Sequence, residues 1–403
     1  MTEHPDRASS VGAPDGVGFS PPPYPYDRLA ALQARAEGRF GPEAGSVDRS
    51  GIVDCSVGTP CDPPPPLVLE AMAGSGTERG YPPSAGSAAY RQAAAAWLAR
   101  RFGVSIDPQR ELAACVGTKE FVASTAQYLR LRTPARDTVL YPAVSYPTYA
   151  MGARLGGCRA VPVRELRGGG PDLASISPAD RDRALVVWIN SPSNPTGRLA
   201  DMRTVAGWGT AHGIPVFSDE CYAEFTWDGP PETVLAGGTR GVVAVHSLSK
   251  RSNLAGARAG FFAGDPELVG YLLEVRRHAG LMVPGPVQAG AVAAFSDDAH
   301  VAEQRHRYRD RLAFMREVLG GIGLPAPMPA GGFYLWIPVP PTMEEGSWEL
   351  AEHLALTAGL LVSPGDLYGP EGAGFVRLAV VQPMERLAVV EARLAGRASV
   401  LAR

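Results

Sequence analysis

The sequence predicts an α/β fold in which a large domain, built around a mostly parallel sheet flanked by helices, is joined to a smaller α+β domain. Two patterns along the 403 residues support this prediction. Short apolar runs alternate with helical stretches in the middle of the chain, as they do where parallel strands are buried between helices. The C-terminal part then changes to a mixture of strand and helix without that regular alternation.

Six apolar runs are predicted as strands because each is short and is followed by a turn or a polar cluster. They cover residues 112–116, 138–141, 184–189, 215–218, 242–246 and 260–263. Helices are predicted at 87–102, 119–130, 202–212 and 266–278, and a long charged helix follows at 299–319. The clearest pieces of the C-terminal unit are 332–337, 348–357, 375–381 and a final helix near 385–394.

These elements divide the chain into four predicted parts. Residues 1–23 form a flexible tail, 24–60 begin the small domain, 61–295 form the large domain and 296–403 complete the small domain. The tail is rich in glycine, proline and serine and lacks the apolar segment of a signal peptide, so we expect it to be flexible.

Composition argues against several classes of function. The chain is 45% hydrophobic and 20% charged, with a formal net charge of −3, whereas nucleic-acid binding needs clustered positive charge. No apolar run reaches the roughly 20 residues needed to span a bilayer. The cysteines are scattered and lack the spacing of a zinc site or a disulfide framework, so we expect no metal and a reducing, cytoplasmic location. They are Cys55, Cys61, Cys115, Cys158 and Cys221.

Lysine is almost absent, because the chain contains only Lys119 and Lys250 among its 38 basic residues. Arginine stays protonated, whereas a lysine amine can lose its proton and attack an aldehyde to form an imine. On this fact alone, a chemical role and a chance surface position are equally good interpretations of each lysine.

The second lysine lies in the most informative run of the chain, residues 247–260, which follows an apolar predicted strand. The carboxyl ends of strands are where α/β sheets bind ligands. Ser247 and Ser249 flank Lys250, and Arg258 follows eight positions later. Hydroxyls and a guanidinium suit a phosphate dianion, and the lysine suits an aldehyde.

Two more predicted strands end in polar residues. Asn194 stands in a loop fixed by prolines and a glycine, where its amide can donate to a phenolate oxygen. An ordinary Asn-Pro turn is the alternative for this segment. Asp219 can pair with a protonated pyridine nitrogen, and Tyr222 can share the phenolate with Asn194. The alternative here is an acidic strand end that faces solvent.

A turn and a tyrosine complete the pattern. Gly117, Thr118 and Lys119 stand between a predicted strand and a helix, where free N–H groups can hold a phosphate. Tyr146 offers an aromatic face to a pyridine ring, although a tyrosine in a core or a turn would look the same. Together these signals supply every contact that pyridoxal 5′-phosphate (PLP) needs. The sequence therefore predicts a PLP enzyme with Lys250 as its Schiff-base lysine.

These motifs resemble the class I and II aminotransferases of PLP fold type I, over roughly residues 24–394. The resemblance rests on the order NPTG at 194–197, DECY at 219–222 and SLSK at 247–250 with its following arginine. It implies a sheet of the seven-stranded type in a large, PLP-binding domain, and a homodimer that acts on amino acids and keto acids. Within this family, the sequence is most similar to those of actinobacterial N-succinyldiaminopimelate aminotransferases, for example in VDCSVGTP at 53–60 and HAGLMVPGPVQ at 278–288.

The resemblance also implies roles for the cofactor site. Lys250 resembles the lysine that holds the cofactor and moves protons, and Asp219 resembles the partner of the pyridinium nitrogen. Asn194 and Tyr222 look like ligands of the phenolate oxygen, and Tyr146 is similar to the stacking aromatic. Phosphate-binding positions are matched by Thr118, Ser247, Ser249 and Arg258.

For the substrate and the subunit interface, the resemblance implies roles for four residues, of which Asn194 is already named for the cofactor. Arg377 looks like the arginine that binds the substrate α-carboxylate through a bidentate fork. Gly58 matches the turn over the substrate, and Asn194 is expected to bind the substrate as well as the cofactor. Tyr81 resembles a tyrosine that reaches the phosphate of the neighbouring subunit.

The chain departs from the family at Ala257, Ser124 and residues 380–382, where relatives usually carry tyrosine, tryptophan and a Thr-Ala-Thr stretch. We expect these positions near the phosphate or the substrate. The resemblance predicts an aminotransferase that uses glutamate and N-succinyl-2-amino-6-ketopimelate, and these departures leave other reactions open. One is β- or γ-replacement, or carbon–carbon bond formation, on an amino acid such as S-adenosylmethionine. Independently of these departures, a regulatory or binding protein with an aminotransferase-like domain is a third interpretation. The short segment before Tyr24 argues against it, because we expect it to leave no room for a DNA-binding domain.

Overall fold

The computed structural model describes residues 19–41, 51–77 and 79–395. Residues 1–18 of the predicted tail, residues 42–50 of the predicted small domain and residues 396–403 lie outside this part of the chain. Within the described ranges, no helix is both long and apolar enough to cross a membrane.

The described residues form the following strands and helices. The strands are β1 (Val53–Asp54), β2 (Leu112–Cys115), β3 (Thr138–Pro142), β4 (Arg159–Val163), β5 (Ala184–Asn190), β6 (Val216–Asp219), β7 (Val242–Ser247), β8 (Gly260–Gly264), β9 (Tyr334–Pro338), β10 (Leu360–Leu361), β11 (Ser363–Pro364) and β12 (Phe375–Ala379). The helices are α1 (Ala30–Phe40), α2 (Pro66–Ala73), α3 (Ala88–Phe102), α4 (Thr118–Arg132), α5 (Thr148–Leu155), α6 (Pro178–Asp182), α7 (Met202–His212), α8 (Leu248–Arg251), α9 (Pro266–His278), α10 (Gly285–Ser296), α11 (Ala299–Gly321), α12 (Ser347–Ala358) and α13 (Met384–Leu394).

The central feature is a seven-stranded sheet with the strand order β2–β8–β7–β6–β5–β3–β4. The strands from β7 to β4 in this order run parallel, and β8 is antiparallel to both of its neighbours. Every residue of β5 is buried, as expected for a central strand that is covered on both faces. The predicted α/β class with a mostly parallel sheet is confirmed.

The six strands predicted for the large domain correspond to β2, β3, β5, β6, β7 and β8, with ends that differ by one residue at most. The structure adds β4 at the edge of the sheet. Most residues of β4 are partly or fully exposed, and it contains Pro162, which a sheet tolerates at an edge. It therefore lacks the continuous apolar run that indicates a buried strand.

Both ends of the chain contribute to the smaller unit. β1 pairs in parallel with β10, and β11, β12 and β9 form an antiparallel sheet. One hydrophobic cluster joins Leu32 and Ala36 of α1 to buried residues of α11, α12 and α13. The exact domain limits after residues 23, 60 and 295 stay predictions.

A largely buried ion pair fastens the segment before α2 to α11. Arg311 donates to both carboxylate oxygens of Asp62 at 2.7 Å, and the two side chains are 6% and 8% exposed. Gln304 donates to the same carboxylate at 2.8 Å. Loss of either charge would leave the other buried without its partner, which is strongly unfavourable.

The sheet brings the predicted motifs together at the carboxyl ends of its parallel strands. β5 ends at Asn190 just before the loop that holds Asn194, β6 ends at Asp219 and β7 ends at Ser247. Because β8 runs in the opposite direction, its start brings the preceding Arg258 to the same end of the sheet. Sheets of this kind bind ligands at the carboxyl ends of their parallel strands.

Candidate active site

A cavity of about 490 Å³ opens at the carboxyl ends of the parallel strands. Twelve residues predicted for the site lie on its wall: Gly58, Thr118, Lys119, Tyr146, Asn194, Asp219, Tyr222, Ser247, Ser249, Lys250, Arg258 and Arg377. Gly117 adjoins the wall through its contact with Arg258. Tyr81 is 96% exposed and does not line the cavity.

Lys250 reaches the cavity from α8, the single helical turn that follows β7. Its Nζ donates to the carbonyl oxygen of Gly58 at 2.5 Å. Burial lowers the pKa of Lys250 to about 8, and the guanidinium groups of Arg377 and Arg258 act in the same direction. The amine therefore loses its proton far more readily than an exposed lysine, as a nucleophile must.

Asp219 is buried and held by two donors. Its Oδ2 accepts from the Tyr149 hydroxyl at 2.8 Å, and its Oδ1 accepts from the backbone N–H of Cys221 at 3.2 Å. Burial raises the pKa of Asp219, and the hydrogen bonds from Cys221 and Tyr149 oppose that rise. A carboxylate in such surroundings suits a positively charged ring nitrogen, which would supply the missing opposite charge.

Arg377 extends from β12 to the loop that holds Asn194. Its Nη1 donates to Asn194 Oδ1 at 2.8 Å, and its Nη2 donates to the carbonyl oxygen of Ser56 at 2.5 Å. Arg377 is 2% exposed, and its Nε has no hydrogen-bond partner among the described residues. Since buried polar groups are almost always paired, this nitrogen suits a carboxylate that enters the cavity.

Groups that suit a phosphate gather around Arg258. Its Nη1 donates to the carbonyl oxygen of Ala255 at 2.8 Å, and a Cβ at Gly117 would collide with its guanidinium. Gly117 has φ +76° and is the N-cap residue of α4, whose first N–H groups have no partner within the helix. Ser247 Oγ accepts from the backbone N–H of Ser249 at 3.1 Å.

Lys119 and nearby tyrosines form another part of the wall. Its Nζ donates to the Tyr24 hydroxyl at 3.1 Å and lies 4.7 Å from the centre of that ring. Burial lowers the pKa of Lys119, but the hydroxyls of Tyr146 and Tyr24 outweigh this effect and leave the pKa above its usual value. Lys119 therefore stays charged, and no carboxylate pairs with it in the described part of the chain.

The departures from the family are not among the residues that line the cavity. Ser124 donates to a glutamate one turn earlier in α4, Gln382 donates to a backbone carbonyl of β1, and residues 380–381 are buried in the small-domain cluster. Their side chains pack within their own units, and the expectation that they lie near the phosphate or the substrate stays a prediction. Ala257 lines a second cavity of about 590 Å³, together with Arg258.

Several residues on the cavity wall or directly behind it are not indicated by the sequence motifs. Tyr149 stands three positions after Tyr146, and this spacing is the one local signal for it. The Tyr334 hydroxyl lies 2.7 Å from the Tyr222 hydroxyl, although 112 positions separate the two residues. Tyr24 lines the cavity from the N-terminal segment. Contacts of this range depend on the complete fold and leave no pattern in the local sequence.

The residues on the wall fit PLP. Lys250 offers an amine with a low pKa for the aldehyde, and Asp219 offers a buried carboxylate for the ring nitrogen. Arg258 offers a guanidinium for the phosphate, beside Gly117, where there is no space for a side chain. No group of three or more histidine, cysteine or acidic residues suited to a metal ion occurs in the described ranges.

The fold and the site define a PLP-dependent transferase, and comparison with known families agrees. Residues 50–392 match the family model of aminotransferase class I and II. The chain belongs to this family. PLP is the cofactor of these enzymes, as the lysine and its surroundings predict.

Individual relatives cover almost the whole chain. A probable aminotransferase of Mycobacterium tuberculosis is 43% identical over 96% of this chain and 88% of its own length. The 4-dedimethylamino-4-oxo-anhydrotetracycline transaminase OxyQ of Streptomyces rimosus is 42% identical over 93% of this chain and 99% of its own. A solved structure of a probable N-succinyldiaminopimelate aminotransferase from Thermus thermophilus is 31% identical, with a TM-score of 0.82 over 92% of this chain and 99% of its own.

Proposed function

We propose that this enzyme transfers the amino group of L-glutamate to a keto acid, with N-succinyl-2-amino-6-ketopimelate as the acceptor. The observation that supports this most strongly is the charge of the cavity wall. Four cationic side chains line it, namely Lys119, Lys250, Arg258 and Arg377, whereas Asp219 is the one carboxylate among the described residues that do so. Such a cavity attracts ligands that carry several negative charges.

Three of these cations suit three different anionic groups. Arg258, with the nearby serine hydroxyls, would bind the cofactor phosphate. Arg377 would bind the substrate α-carboxylate, because its buried Nε lacks a partner in the described part of the chain. Lys119 then remains for a second carboxylate, which glutamate carries and a neutral amino acid lacks.

Lys250 is proposed to move the protons of the reaction. PLP, when bound, supplies a carbon that accepts the amino group and a ring that takes up the electron pair of the α-carbon. The amine of Lys250 would take the proton from the α-carbon of the substrate and later return a proton. Its pKa of about 8 suits both directions of transfer near neutral pH. The carbonyl of Gly58 would orient this amine through the hydrogen bond to Nζ.

Asp219 and Tyr222 are proposed to set the charge on the cofactor ring. Asp219 would keep the ring nitrogen protonated, and Tyr149 would hold the carboxylate in place from behind. Tyr222 and Asn194 would donate to the ring oxygen, which stabilises its negative charge. Tyr146 would stack on the face of the ring.

The proposed acceptor rests on charge and similarity. A succinyl group ends in a carboxylate, which matches the second carboxylate of glutamate and would use the same ammonium of Lys119. The similar Thermus structure carries the name of an enzyme for an N-succinylated compound. OxyQ is named for a tetracycline precursor. A polycyclic ketone should therefore be tested as an amino acceptor beside N-succinyl-2-amino-6-ketopimelate.

We also propose a homodimer with shared active sites. The side chains of Tyr81 and of Leu67 and Leu69 in α2 are large, apolar and exposed, and a partner subunit would cover them. The second cavity, beside Arg258, is lined mainly by apolar residues such as Leu69. Light scattering of the purified protein tests the subunit number. A Tyr81→Phe variant with weakened cofactor affinity would support the proposed contact with the phosphate.

The reaction is tested by following the absorbance of the purified enzyme when L-glutamate is added without an acceptor. The cofactor bound to Lys250 should absorb at roughly 410–430 nm, and this band should disappear as 2-oxoglutarate is released in equal amount to the enzyme. N-succinyl-2-amino-6-ketopimelate should then restore the band. A band that ignores glutamate and every other amino donor would contradict the proposal, and loss of a side-chain group without amino transfer would favour replacement chemistry.

A further inference from the structure

Tyr334 contacts three groups to which the proposed function gives a role. It begins β9 and is buried, and its hydroxyl lies 2.7 Å from the hydroxyl of Tyr222. The guanidinium carbon of Arg377 lies 4.4 Å from the centre of its ring. A Cβ at Gly58 would run into the Tyr334 hydroxyl, so Tyr334 also borders the turn whose carbonyl accepts from Lys250.

The hydroxyl of Tyr334 is not explained by packing. Phe333, the preceding residue, already packs edge to face on Tyr222 with ring centres 5.4 Å apart. A phenylalanine at 334 would keep the stacking on Arg377 and the contact with the Tyr222 ring, which lies at 5.4 Å. In the described ranges, the Tyr334 hydroxyl is the only hydrogen-bond partner of the Tyr222 hydroxyl.

The direction of this hydrogen bond follows from the proposed function, on which the inference rests. There, Tyr222 donates its one hydroxyl proton to the ring oxygen of the cofactor. A phenol has a single proton to donate but lone pairs to accept with, so Tyr222 must then accept from Tyr334. We propose that Tyr334 is a positioning residue that donates to Tyr222 and thereby strengthens the hydrogen bond from Tyr222 to the cofactor.

The electrostatics of the site keep both hydroxyls protonated, which this arrangement requires. Burial raises the pKa of Tyr334 to about 12. The stacked guanidinium of Arg377 opposes that rise, so it makes the Tyr334 hydroxyl a better donor than burial alone would leave it. Burial also raises the pKa of Tyr222 well above its usual value, and Tyr334 beside it adds to the rise. Both hydroxyls therefore keep their protons at neutral pH. A hydroxyl that accepts one hydrogen bond donates another more strongly, by about 10–30% per bond.

The measurable consequence is a shift in the pH at which the visible band of the bound cofactor titrates. That titration removes the proton from the Lys250 nitrogen and leaves the full negative charge on the ring oxygen. A donor to this oxygen stabilises the deprotonated form and lowers the midpoint. Tyr222→Phe should therefore raise the midpoint by about one to two pH units. Tyr334→Phe should raise it by a few tenths of a unit, the fraction expected from cooperativity.

The experiment is a pH titration of the absorbance of the holoenzyme and of Tyr222→Phe, Tyr334→Phe and the double variant. The double variant should titrate at the same pH as Tyr222→Phe, because Tyr334 acts only through Tyr222. Tyr368→Phe is the matched control. Its ring lies 4.8 Å from the same guanidinium, but its hydroxyl accepts from Tyr26, so its midpoint should equal that of the unaltered enzyme.

The outcomes separate the inference from the proposed function. An unchanged midpoint in Tyr334→Phe, or the same shift with and without Tyr222, would overturn the role of Tyr334 alone. An unchanged midpoint in Tyr222→Phe would remove the proposed role of Tyr222 and the inference with it. Thermal unfolding of each variant, followed by circular dichroism, checks that the fold is retained.

Discussion

Replacement of Lys119 by glutamine should remove the preference for glutamate while the use of glutamine as amino donor stays unchanged. The Lys119 ammonium lies against Tyr24 on the cavity wall, without a carboxylate partner among the described residues. A hydrogen bond to a charged group contributes about 1.5–3 kcal/mol. Because the Lys119 side chain is exposed, solvent screening reduces the contribution to about 1 kcal/mol. A loss of about 1 kcal/mol corresponds to roughly a fivefold fall in kcat/KM for glutamate.

The assay is steady-state kinetics with L-glutamate and L-glutamine, which have the same shape and differ in the charge of the side chain. Lys119→Arg keeps the positive charge and should keep most of the preference. The visible cofactor band serves as the second control, because it should be the same in all three proteins. An equal fall in kcat/KM for both donors would refute the assignment and would place Lys119 at the cofactor instead.

Three further outcomes are expected. Arg377→Lys should raise the KM for the amino donor by about 10- to 100-fold without changing the cofactor band, because lysine cannot form the bidentate fork; an unchanged KM in steady-state kinetics would contradict this. The rate at which the apoprotein takes up PLP should rise with pH to about 8 and then level off, because burial lowers the pKa of Lys250 to about 8 and only the neutral amine attacks the aldehyde. A stopped-flow rate that is flat between pH 6 and 10 would exclude this explanation. Arg311→Met should lower the free energy of unfolding by about 3–5 kcal/mol, since it leaves the carboxylate of Asp62 buried without its partner; a loss below about 1 kcal/mol in urea unfolding would show that the pair contributes little.

The fold of the large domain is predictable from the sequence because its strands are buried on both faces. Such strands appear as continuous apolar runs, of which residues 184–189 are the clearest example. Helix ends are also marked locally: Ser87 accepts from the N–H of Tyr90 at the start of α3, and Gly103 has φ +69° at its end. β4 carries no such signal, because an exposed edge strand does not need an apolar run.

The site is predictable to the extent that each chemical group lies in a contiguous motif. Lys250 and Asp219 stand at strand ends with characteristic neighbours, so the cofactor follows from residue types and order. Tyr334 is placed by its contact with Tyr222, which is 112 positions away in the sequence, and Tyr149 by its contact with Asp219, which is 70 positions away. Ser124 shows the reverse case, because its departure from the family suggests a place at the site whereas its side chain bonds within its own helix.

The central claim is that Lys250 carries the cofactor, and the scarcity of lysine makes a direct test decisive. Borohydride reduction of the purified enzyme joins PLP permanently to the amine that holds it, and mass spectrometry of the resulting peptides locates the modified residue. Lys119 and Lys250 are the only lysines in the chain, so the measurement distinguishes two candidates. The account predicts a single modified peptide that contains Lys250. Modification of Lys119 instead, or no modified peptide in a protein with a visible cofactor band, would contradict it.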